Sequence, residues 1–203
     1  MKSIIHYLTD TYQPDAIILY GSYADCTNNA DSDFDCLVVS RNRGLRHDTS
    51  IINNVTLDAF IYSPEEIRRA DNLDEFLQIC DGIILKDTDG LAFSLQHKVQ
   101  TYLAELPGRS PEELHDSVAW CEKMFLRTMH SDAEGYFRWH WLLRDSLEIY
   151  CDLKGISYSG PKKSIRFMQR TDATGYSLYS DALARFEQDA LRQWIEYLRL
   201  LLP

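Results

Sequence analysis

The sequence lacks the features that mark several whole classes of protein. Its five cysteines are scattered and form no Cys-x-x-Cys pair, which argues against a disulfide framework and a structural zinc site. Nine glycines and six prolines among 203 residues are too few for a disordered or fibrous chain. No apolar run reaches the roughly 18 residues of a membrane-spanning helix, and residues 1–7 show no apolar signal-peptide core. We therefore expect a cytoplasmic protein with no membrane partner.

Positive charge is also scarce. The chain has 21 lysines and arginines against 31 aspartates and glutamates, which gives a net charge of −10 at pH 7. Unaided nucleic-acid binding depends on basic side chains that neutralise phosphates, so this balance argues against a nucleic-acid partner. A phosphate ligand bridged by a divalent cation stays compatible with it, because the cation reverses the local sign of charge.

Hydrophobic periodicity divides the chain into an α/β half, residues 1–88, and a helical half, residues 89–203. Short apolar runs rich in β-formers predict strands at residues 16–20, 34–39, 55–62 and 83–86. Between them, helical spacing and capping signals predict helices at residues 2–12, 64–70 and 73–80. The second half is predicted to contain helices at residues 89–106, 111–130, 133–153, 161–170 and 176–201.

One motif combines a glycine-serine turn with paired acids. Gly21 follows a predicted strand, where the absence of a Cβ allows a sharp turn and the close approach of a ligand. Ser22 would begin a turn or helix and offer its hydroxyl and neighbouring amides to an anion. After ten intervening residues, Asp33 and Asp35 stand two apart at the start of a strand. Side chains at this spacing point to the same face, so the two carboxylates project together.

Paired carboxylates on a buried strand repel each other unless a positive charge compensates them. Mg²⁺ is a natural partner, because it prefers hard oxygen ligands and often shares them with phosphates. A third acid, Asp58, lies inside the apolar run of residues 55–62. If that strand lies beside the one that carries Asp33 and Asp35, three carboxylates converge at one edge of the sheet. Such an arrangement is typical of two-metal phosphoryl transfer.

Gly21-Ser22, ten intervening residues, Asp33-x-Asp35 and a later strand aspartate resemble the motif of the DNA polymerase β-type nucleotidyltransferase superfamily. The resemblance is close over residues 16–62. It implies an α+β fold, with an N-terminal mixed-sheet nucleotidyltransferase domain and a C-terminal α-helical bundle. It also implies transfer of a nucleoside monophosphate from ATP or another nucleoside triphosphate, with release of pyrophosphate.

The resemblance further implies a role for each residue of the motif. Gly21 and Ser22 would hold the triphosphate, and Asp33 and Asp35 would bind two Mg²⁺ ions. Asp58 would complete the metal site and help to activate the acceptor hydroxyl. Small bacterial members of the superfamily often have a basic residue and a glycine at the positions that Asp25 and Cys26 occupy here.

The helical half contains a segment, residues 134–145, that mixes aromatic and charged side chains. In one interpretation its aromatic rings fill the bundle core and its charges pair at the rim. In the other, Arg138 and Arg144 face the nucleotide, because cationic groups stabilise phosphates. In antibiotic-modifying members of the superfamily, a helical second domain likewise forms part of the acceptor and nucleotide site.

The motif leaves the acceptor open. A small hydroxyl-bearing cation, such as an aminoglycoside-like molecule, and a protein side chain both satisfy it. An alternative function is a non-catalytic or antitoxin-type nucleotide-binding module that acts on a partner protein, and Asp25 motivates this alternative. A further alternative makes residues 31–35 a solvated turn before an edge strand, with Asp58 facing water.

Overall fold

The computed structural model describes residues 1–42, 44–130 and 132–203. The chain forms two compact units, Met1–Leu106 and Pro107–Pro203. The sequence-based boundary, after residue 88, falls before the last helix of the first unit. That helix packs on the sheet, and the chain leaves the unit only at Pro107.

Within the described residues, the first unit is built on a six-stranded mixed sheet. Its strands are β1 (Ala16–Leu19), β2 (Phe34–Val39), β3 (His47–Asp48), β4 (Ile51–Ile52), β5 (Val55–Tyr62) and β6 (Ile83–Asp87). The strand order is β3-β5-β2-β1-β6, and β4 pairs with β5 off this path. β2 and β5 run parallel, whereas the other pairs are antiparallel. The mixed sheet implied by the family resemblance is confirmed.

Helices cover both faces of this sheet. They are α1 (Lys2–Tyr12), α2 (Gly21–Ala24), α3 (Pro64–Arg68) and α4 (Leu91–Glu105), together with a 3₁₀ helix at Leu73–Ile79. The buried residues of α1 stand four apart, at Ile4, Leu8 and Tyr12, so they form one apolar stripe against the sheet.

Alternation along the strands decides which face each side chain meets. Phe34 and Cys36 pack in the α1 core, and so do Leu57 and Ala59 on β5. Leu37 belongs to the opposite core, which α4 and the 3₁₀ helix cover. Asp35, which lies between Phe34 and Cys36, therefore points to the α4 face. Asp58, between Leu57 and Ala59, points to the same face.

The second unit consists of helices. They are α5 (Pro111–Arg127), α6 (Ala133–Leu153), α7 (Pro161–Thr171), α8 (Ala173–Ala184) and α9 (Gln188–Leu200). The predicted single helix over residues 176–201 is wrong, because the backbone is extended at Arg185 and Glu187. Phe186, between them, stacks on Trp139 of α6 with ring centroids 4.6 Å apart. The α+β fold class is confirmed.

One half-buried carboxylate ties four parts of the second unit together. Asp172 caps α8 by accepting the Gly175 N–H at 2.9 Å, and it also accepts the hydroxyl protons of Tyr150 and Tyr197. Lys154 Nζ lies 2.9 Å from the same carboxylate. Burial alone would raise the pKa of Asp172, but these hydrogen bonds outweigh it and lower the pKa to about 2.

Other differences from the sequence-based prediction are short. Residues 41–50, for which no strand is predicted, contain β3, and residues 73–80 form a 3₁₀ helix at Leu73–Ile79 rather than an α-helix. α5 ends at Arg127 rather than at residue 130, and the buried Thr128 hydroxyl donates to the Phe125 carbonyl at that end. None of the helices in the described part of the chain is long and apolar enough to cross a membrane.

Candidate active site

Two of the predicted acids are register neighbours on parallel strands. Asp35 of β2 pairs with Asp58 of β5, and adjacent strands lie about 4.8 Å apart. Both side chains point to the α4 face, and both residues are half-buried. The prediction that the Asp58 strand lies beside the Asp35 strand is confirmed, and 35% of the Asp58 side chain is exposed.

Gly21 lies against this carboxylate pair. β1 ends at Leu19, and the Tyr20 N–H donates to the Asp35 carbonyl at 3.0 Å. Gly21 has a φ of +68°, and a Cβ built on it would overlap Asp35 Oδ2. Two features therefore favour glycine at this position. The backbone is left-handed, and the Asp35 carboxylate occupies the space of a side chain.

Ser22 follows in α2, a single turn of helix that starts at Gly21. The residue is half-buried, and its carbonyl accepts the Thr27 N–H at 2.8 Å. Asp25 ends this turn. The glycine-serine turn predicted from the sequence is therefore present directly after the buried strand, at the edge of the sheet where Asp35 and Asp58 lie.

Asp33 has a different environment from the other two acids. It precedes β2 by one residue and is exposed. Within residues 1–42, 44–130 and 132–203, no group of three His, Cys, Asp or Glu side chains is arranged to hold a metal ion. The structure therefore brings Asp35 and Asp58 together without Asp33 closing a three-ligand cluster around them.

His47 is a site residue that sequence analysis did not find. It lies on β3, directly opposite Phe60 of β5, and its Nε2 is 2.5 Å from Asp58 Oδ1. Its ring stacks on the Phe60 ring at a centroid distance of 4.4 Å and an angle of 11°. Because β3 has only two residues, no alternating pattern in the sequence marks it as a strand.

The carboxylate pair also influences buried neutral groups. Burial raises the pKa of the Tyr20 hydroxyl, and the charges of Asp58 and Asp35 raise it further. Burial also raises the pKa of the Cys36 thiol, and the charge of Asp35 raises it further. Both groups stay neutral, so neither adds negative charge to the site nor offsets it.

Residues 1–96 match the family model of the nucleotidyltransferase domain. Residues 1–96 are a nucleotidyltransferase domain. The match spans β1 to β6 of the sheet, including Gly21 and all three predicted acids. It confirms the predicted resemblance and the assignment to the transferases of phosphorus-containing groups.

Two solved structures share features with the chain that carries this nucleotidyltransferase domain. One is a crystal structure of a toxin-antitoxin with AMP-PNP, at 19% identity over 52% of this chain and 87% of that chain, with a TM-score of 0.34. The other is a nucleotidyltransferase-like protein from Exiguobacterium sibiricum 255-15, at 15% identity over 99% of this chain and 73% of that chain, with a TM-score of 0.44. At these values neither structure carries a conclusion about this chain's ligand or partner. No curated protein matches the chain significantly.

The two predicted nucleotide-binding arginines lie outside the nucleotidyltransferase domain, on α6 of the second unit. Arg138 forms an ion pair with Glu134, one helical turn away, and its Nη1 lies 4.0 Å from Met124 Sδ. Arg144 is exposed and borders a mainly apolar surface pocket with Phe137 and Trp141. Arg138 thus has the paired environment of the rim interpretation, and Arg144 lies beside exposed aromatic rings.

Proposed function

We propose that the nucleotidyltransferase domain transfers a nucleoside monophosphate, AMP from ATP, to a hydroxyl group of an acceptor. The observation that carries this proposal is the register pairing of Asp35 with Asp58 beside Gly21. Two carboxylates on neighbouring strands, next to a glycine turn, provide a cation site. In-line transfer to a hydroxyl depends mainly on positioning and charge neutralisation, and such a site supplies both.

Divalent cations are part of the proposal. Carboxylate oxygens are the ligands that Mg²⁺ prefers, and Mg²⁺ in phosphate-transfer sites takes only one or two carboxylates, together with substrate phosphates and water. Asp35 and Asp58 fit this requirement before any nucleotide is bound, and the exposed Asp33 would join them when the triphosphate is present. Bound there, two Mg²⁺ ions would offset the negative charge of the α-phosphate and the leaving pyrophosphate.

The remaining residues of the motif receive roles that follow from their positions. Gly21 lies next to Asp35 without a side chain between them, and Ser22 is one residue further along the same turn. We assign the triphosphate to this turn. Asp58, with one oxygen bonded to His47, is assigned the proton of the attacking hydroxyl as well as a metal ion. Arg138 and Arg144 are retained as proposed nucleotide contacts from the second unit.

The proposed acceptor is a small cation that carries hydroxyl groups, of which an aminoglycoside-like molecule is one example. The second unit contains a cavity of about 470 Å³ with Trp120 in its wall. Four carboxylates also line it, from Glu113, Asp116, Asp145 and Glu148, against a single guanidinium among its lining residues, that of Arg109. Negative charge beside an aromatic ring favours amino groups of a ligand over phosphate or carboxylate groups.

The test is Mg²⁺-dependent transfer of label from α-³²P-ATP to a panel of hydroxyl-bearing amines, followed together with pyrophosphate release. Asp35→Ala should abolish transfer. Asp10→Asn is a matched control, because Asp10 is an exposed carboxylate on α1 of the same unit and contacts only the exposed His6 among the ion pairs of the described residues. Full transfer by purified, folded Asp35→Ala protein would refute the proposal.

A second candidate function is a non-catalytic nucleotide-binding module that acts on a partner protein. The observation that favours it is Asp25, an acid at the end of the Gly21–Ala24 turn, where small bacterial members of the superfamily often have a basic residue. Calorimetry with ATP and Mg²⁺ separates the two candidates when it is paired with the release assay. Tight binding without pyrophosphate release across the acceptor panel would favour the module.

A further inference from the structure

The edge of the sheet next to Asp58 is formed by β3, and this two-residue strand has a specific construction. β3 pairs antiparallel with β5, with His47 opposite Phe60 and Asp48 opposite Ala59. Backbone hydrogen bonds from Ile61 to Arg46 and from Leu57 to Ser50, each of 2.9 Å, continue the pairing on both sides. The position of β3 along β5 is therefore fixed, which matters for its two side chains.

Alternation puts the two side chains of β3 on opposite faces of the sheet. Asp48 points to the α1 face, where it is 1% exposed. It accepts hydrogen bonds from the hydroxyls of Tyr12 at 2.7 Å and Tyr7 at 3.0 Å, and from the Ser50 N–H and hydroxyl. Removing a carboxylate from this network would leave buried hydroxyls without their acceptor. Asp48 thus anchors β3 to α1.

His47 points to the other face, which is the face of the carboxylate pair. It is directly opposite Phe60, so Asp58 is its diagonal neighbour on β5, at a separation that a long side chain can span. The imidazole spans this distance, and its Nε2 lies 2.5 Å from Asp58 Oδ1. Stacking on Phe60 fixes the plane of the ring. The imidazole is therefore held by its backbone, by one ring contact and by one carboxylate oxygen.

We propose that His47 is a positioning residue for Asp58, whose hydrogen bond through Nε2 fixes the carboxylate in the orientation that a divalent cation requires. The inference rests on the proposed function. The His47 bond engages Oδ1, so Oδ2 is the oxygen assigned to the cation. Histidine-carboxylate pairs commonly orient metal ligands in this way, and the loss of such a partner costs about 10–100-fold in metal affinity or activity.

A purely structural role makes a different prediction. If the His47–Asp58 contact only tied β3 to β5, its loss would lower the thermal unfolding midpoint but leave metal affinity of the folded protein unchanged. If the histidine instead occupied a place that a cation needs, its removal would strengthen cation binding. Metal affinity separates these cases from positioning, whereas stability alone does not.

The experiment measures Mn²⁺ binding by electron paramagnetic resonance, on the full chain saturated with α,β-methylene-ATP, which cannot be cleaved at the transferred bond. The variants are His47→Ala and His47→Gln, because the glutamine amide can donate a hydrogen bond from nearly the same place as Nε2. His6→Ala is the matched control: His6 also pairs with an aspartate, Asp10, at 3.2 Å in the same unit, but on α1. Thermal unfolding is recorded for each variant.

The expected result is a 10–100-fold weaker Mn²⁺ affinity for His47→Ala, recovery of most of that loss by His47→Gln, and wild-type affinity for His6→Ala. Unchanged or tighter Mn²⁺ binding in folded His47→Ala protein would overturn the inference, and so would a His47→Gln variant as weak as the alanine variant. Failure of the proposed function is recognised separately, because the wild-type protein would then release no pyrophosphate in the transfer assay, whatever the Mn²⁺ affinities of the variants.

Discussion

Gly21 and Asp35 are in contact so close that no side chain can exist at position 21 without moving the carboxylate. The glycine backbone has a φ of +68°, and the space of a Cβ is taken by Asp35 Oδ2. The glycine-serine turn and the paired acids, which ten residues separate in the sequence, therefore meet across the antiparallel β1–β2 pair. The spacing of the motif is the length of chain needed to leave β1, form α2 and return along β2.

The first prediction concerns this contact. Gly21→Ala should cost about 1–2 kcal/mol of folding stability, because an alanine must adopt the left-handed backbone. Its effect on transfer should exceed what the lost stability explains, since Asp35 must rotate away from its place beside Asp58. Chemical denaturation and the label-transfer assay on the same preparation measure the two effects.

Gly90→Ala is the control for Gly21→Ala. Gly90 has a φ of +72°, but a Cβ at that position meets nothing within 4 Å. It should therefore show a similar loss of stability with wild-type transfer. Equal transfer by the two variants would contradict the displacement of Asp35.

The second prediction ranks the three acids. Asp35→Ala should abolish transfer, because it removes the carboxylate that lies between Gly21 and Asp58. Asp58→Ala should lower the rate by roughly 10²–10⁴-fold, the range expected for loss of a general base. Asp33→Ala should abolish transfer while changing stability least, because Asp33 is exposed. Initial rates with Mg²⁺ and ATP provide the measurement, and a fully active Asp33→Ala protein would remove Asp33 from the metal site.

How far the sequence predicts this site can be seen by comparing Asp58 with His47. Asp58 was predictable, since a lone acid within an apolar run of eight residues demands a partner and the parallel pairing of long strands is strongly patterned. His47 was not predictable, because a strand of two residues shows no alternating pattern. Its contact with Asp58 depends on the pairing of β3 with the free edge of β5. The contact belongs to tertiary structure rather than to local sequence.

The short strand β4 is an intermediate case. Ile51 and Ile52 precede Asn53 and Asn54, both of which have positive φ, and then Val55 begins β5. A two-residue hairpin turn of type I′ requires positive φ at both positions, and asparagine adopts positive φ more readily than most residues. The two asparagines are therefore compatible with a hairpin, although the sequence analysis predicts only the strand at residues 55–62.

The third prediction concerns the pH dependence of stability. Asp172 has a pKa lowered to about 2 in the folded protein, against about 3.9 in an unfolded chain. Its contribution to stability is therefore present above a pH of about 4 and is lost as the pH falls towards 2, and it amounts to about 3 kcal/mol. Asp172→Asn should lower the free energy of unfolding by about that amount at pH 7, and the difference should shrink at pH 2–3.

Urea denaturation at several pH values tests the prediction for Asp172. Asp189→Asn is the control, because Asp189 pairs with Arg192 on the surface, with 78% of its side chain exposed, and should change stability little. A destabilisation by Asp172→Asn that stays constant from pH 7 to pH 2 would show that the charge of Asp172 is not what stabilises the unit.

The fourth prediction concerns the break between α8 and α9. Phe186→Ala should destabilise the second unit by at least about 1 kcal/mol, although the residue is 52% exposed, because its ring stacks on Trp139 and meets Tyr136 edge-on. Leu183→Ala, at 49% exposure, is the comparison without a ring contact. The measurement is the thermal unfolding midpoint of both variants. Equal midpoints would contradict a role for the Phe186–Trp139 stack in the break between α8 and α9.

The break itself shows why helix ends in this unit escaped prediction. Residues 185–187 contain neither proline nor glycine, so no local signal interrupts the helical period of residues 176–201. The chain departs from helical backbone where Phe186 meets the rings of α6. A packing preference between distant residues has overridden the local preference for helix.

The parallel pairing of β2 with β5 has a consequence for protein engineering. The two strands pair residue for residue from Phe34 and Leu57 to Val39 and Tyr62, so one additional residue in β5 ahead of Asp58 would turn that carboxylate towards α1. A graft of the acid pair onto another sheet must therefore reproduce the pairing register of the two strands as well as the two side chains. The register that sets Asp35 opposite Asp58 is the feature that such a graft has to preserve.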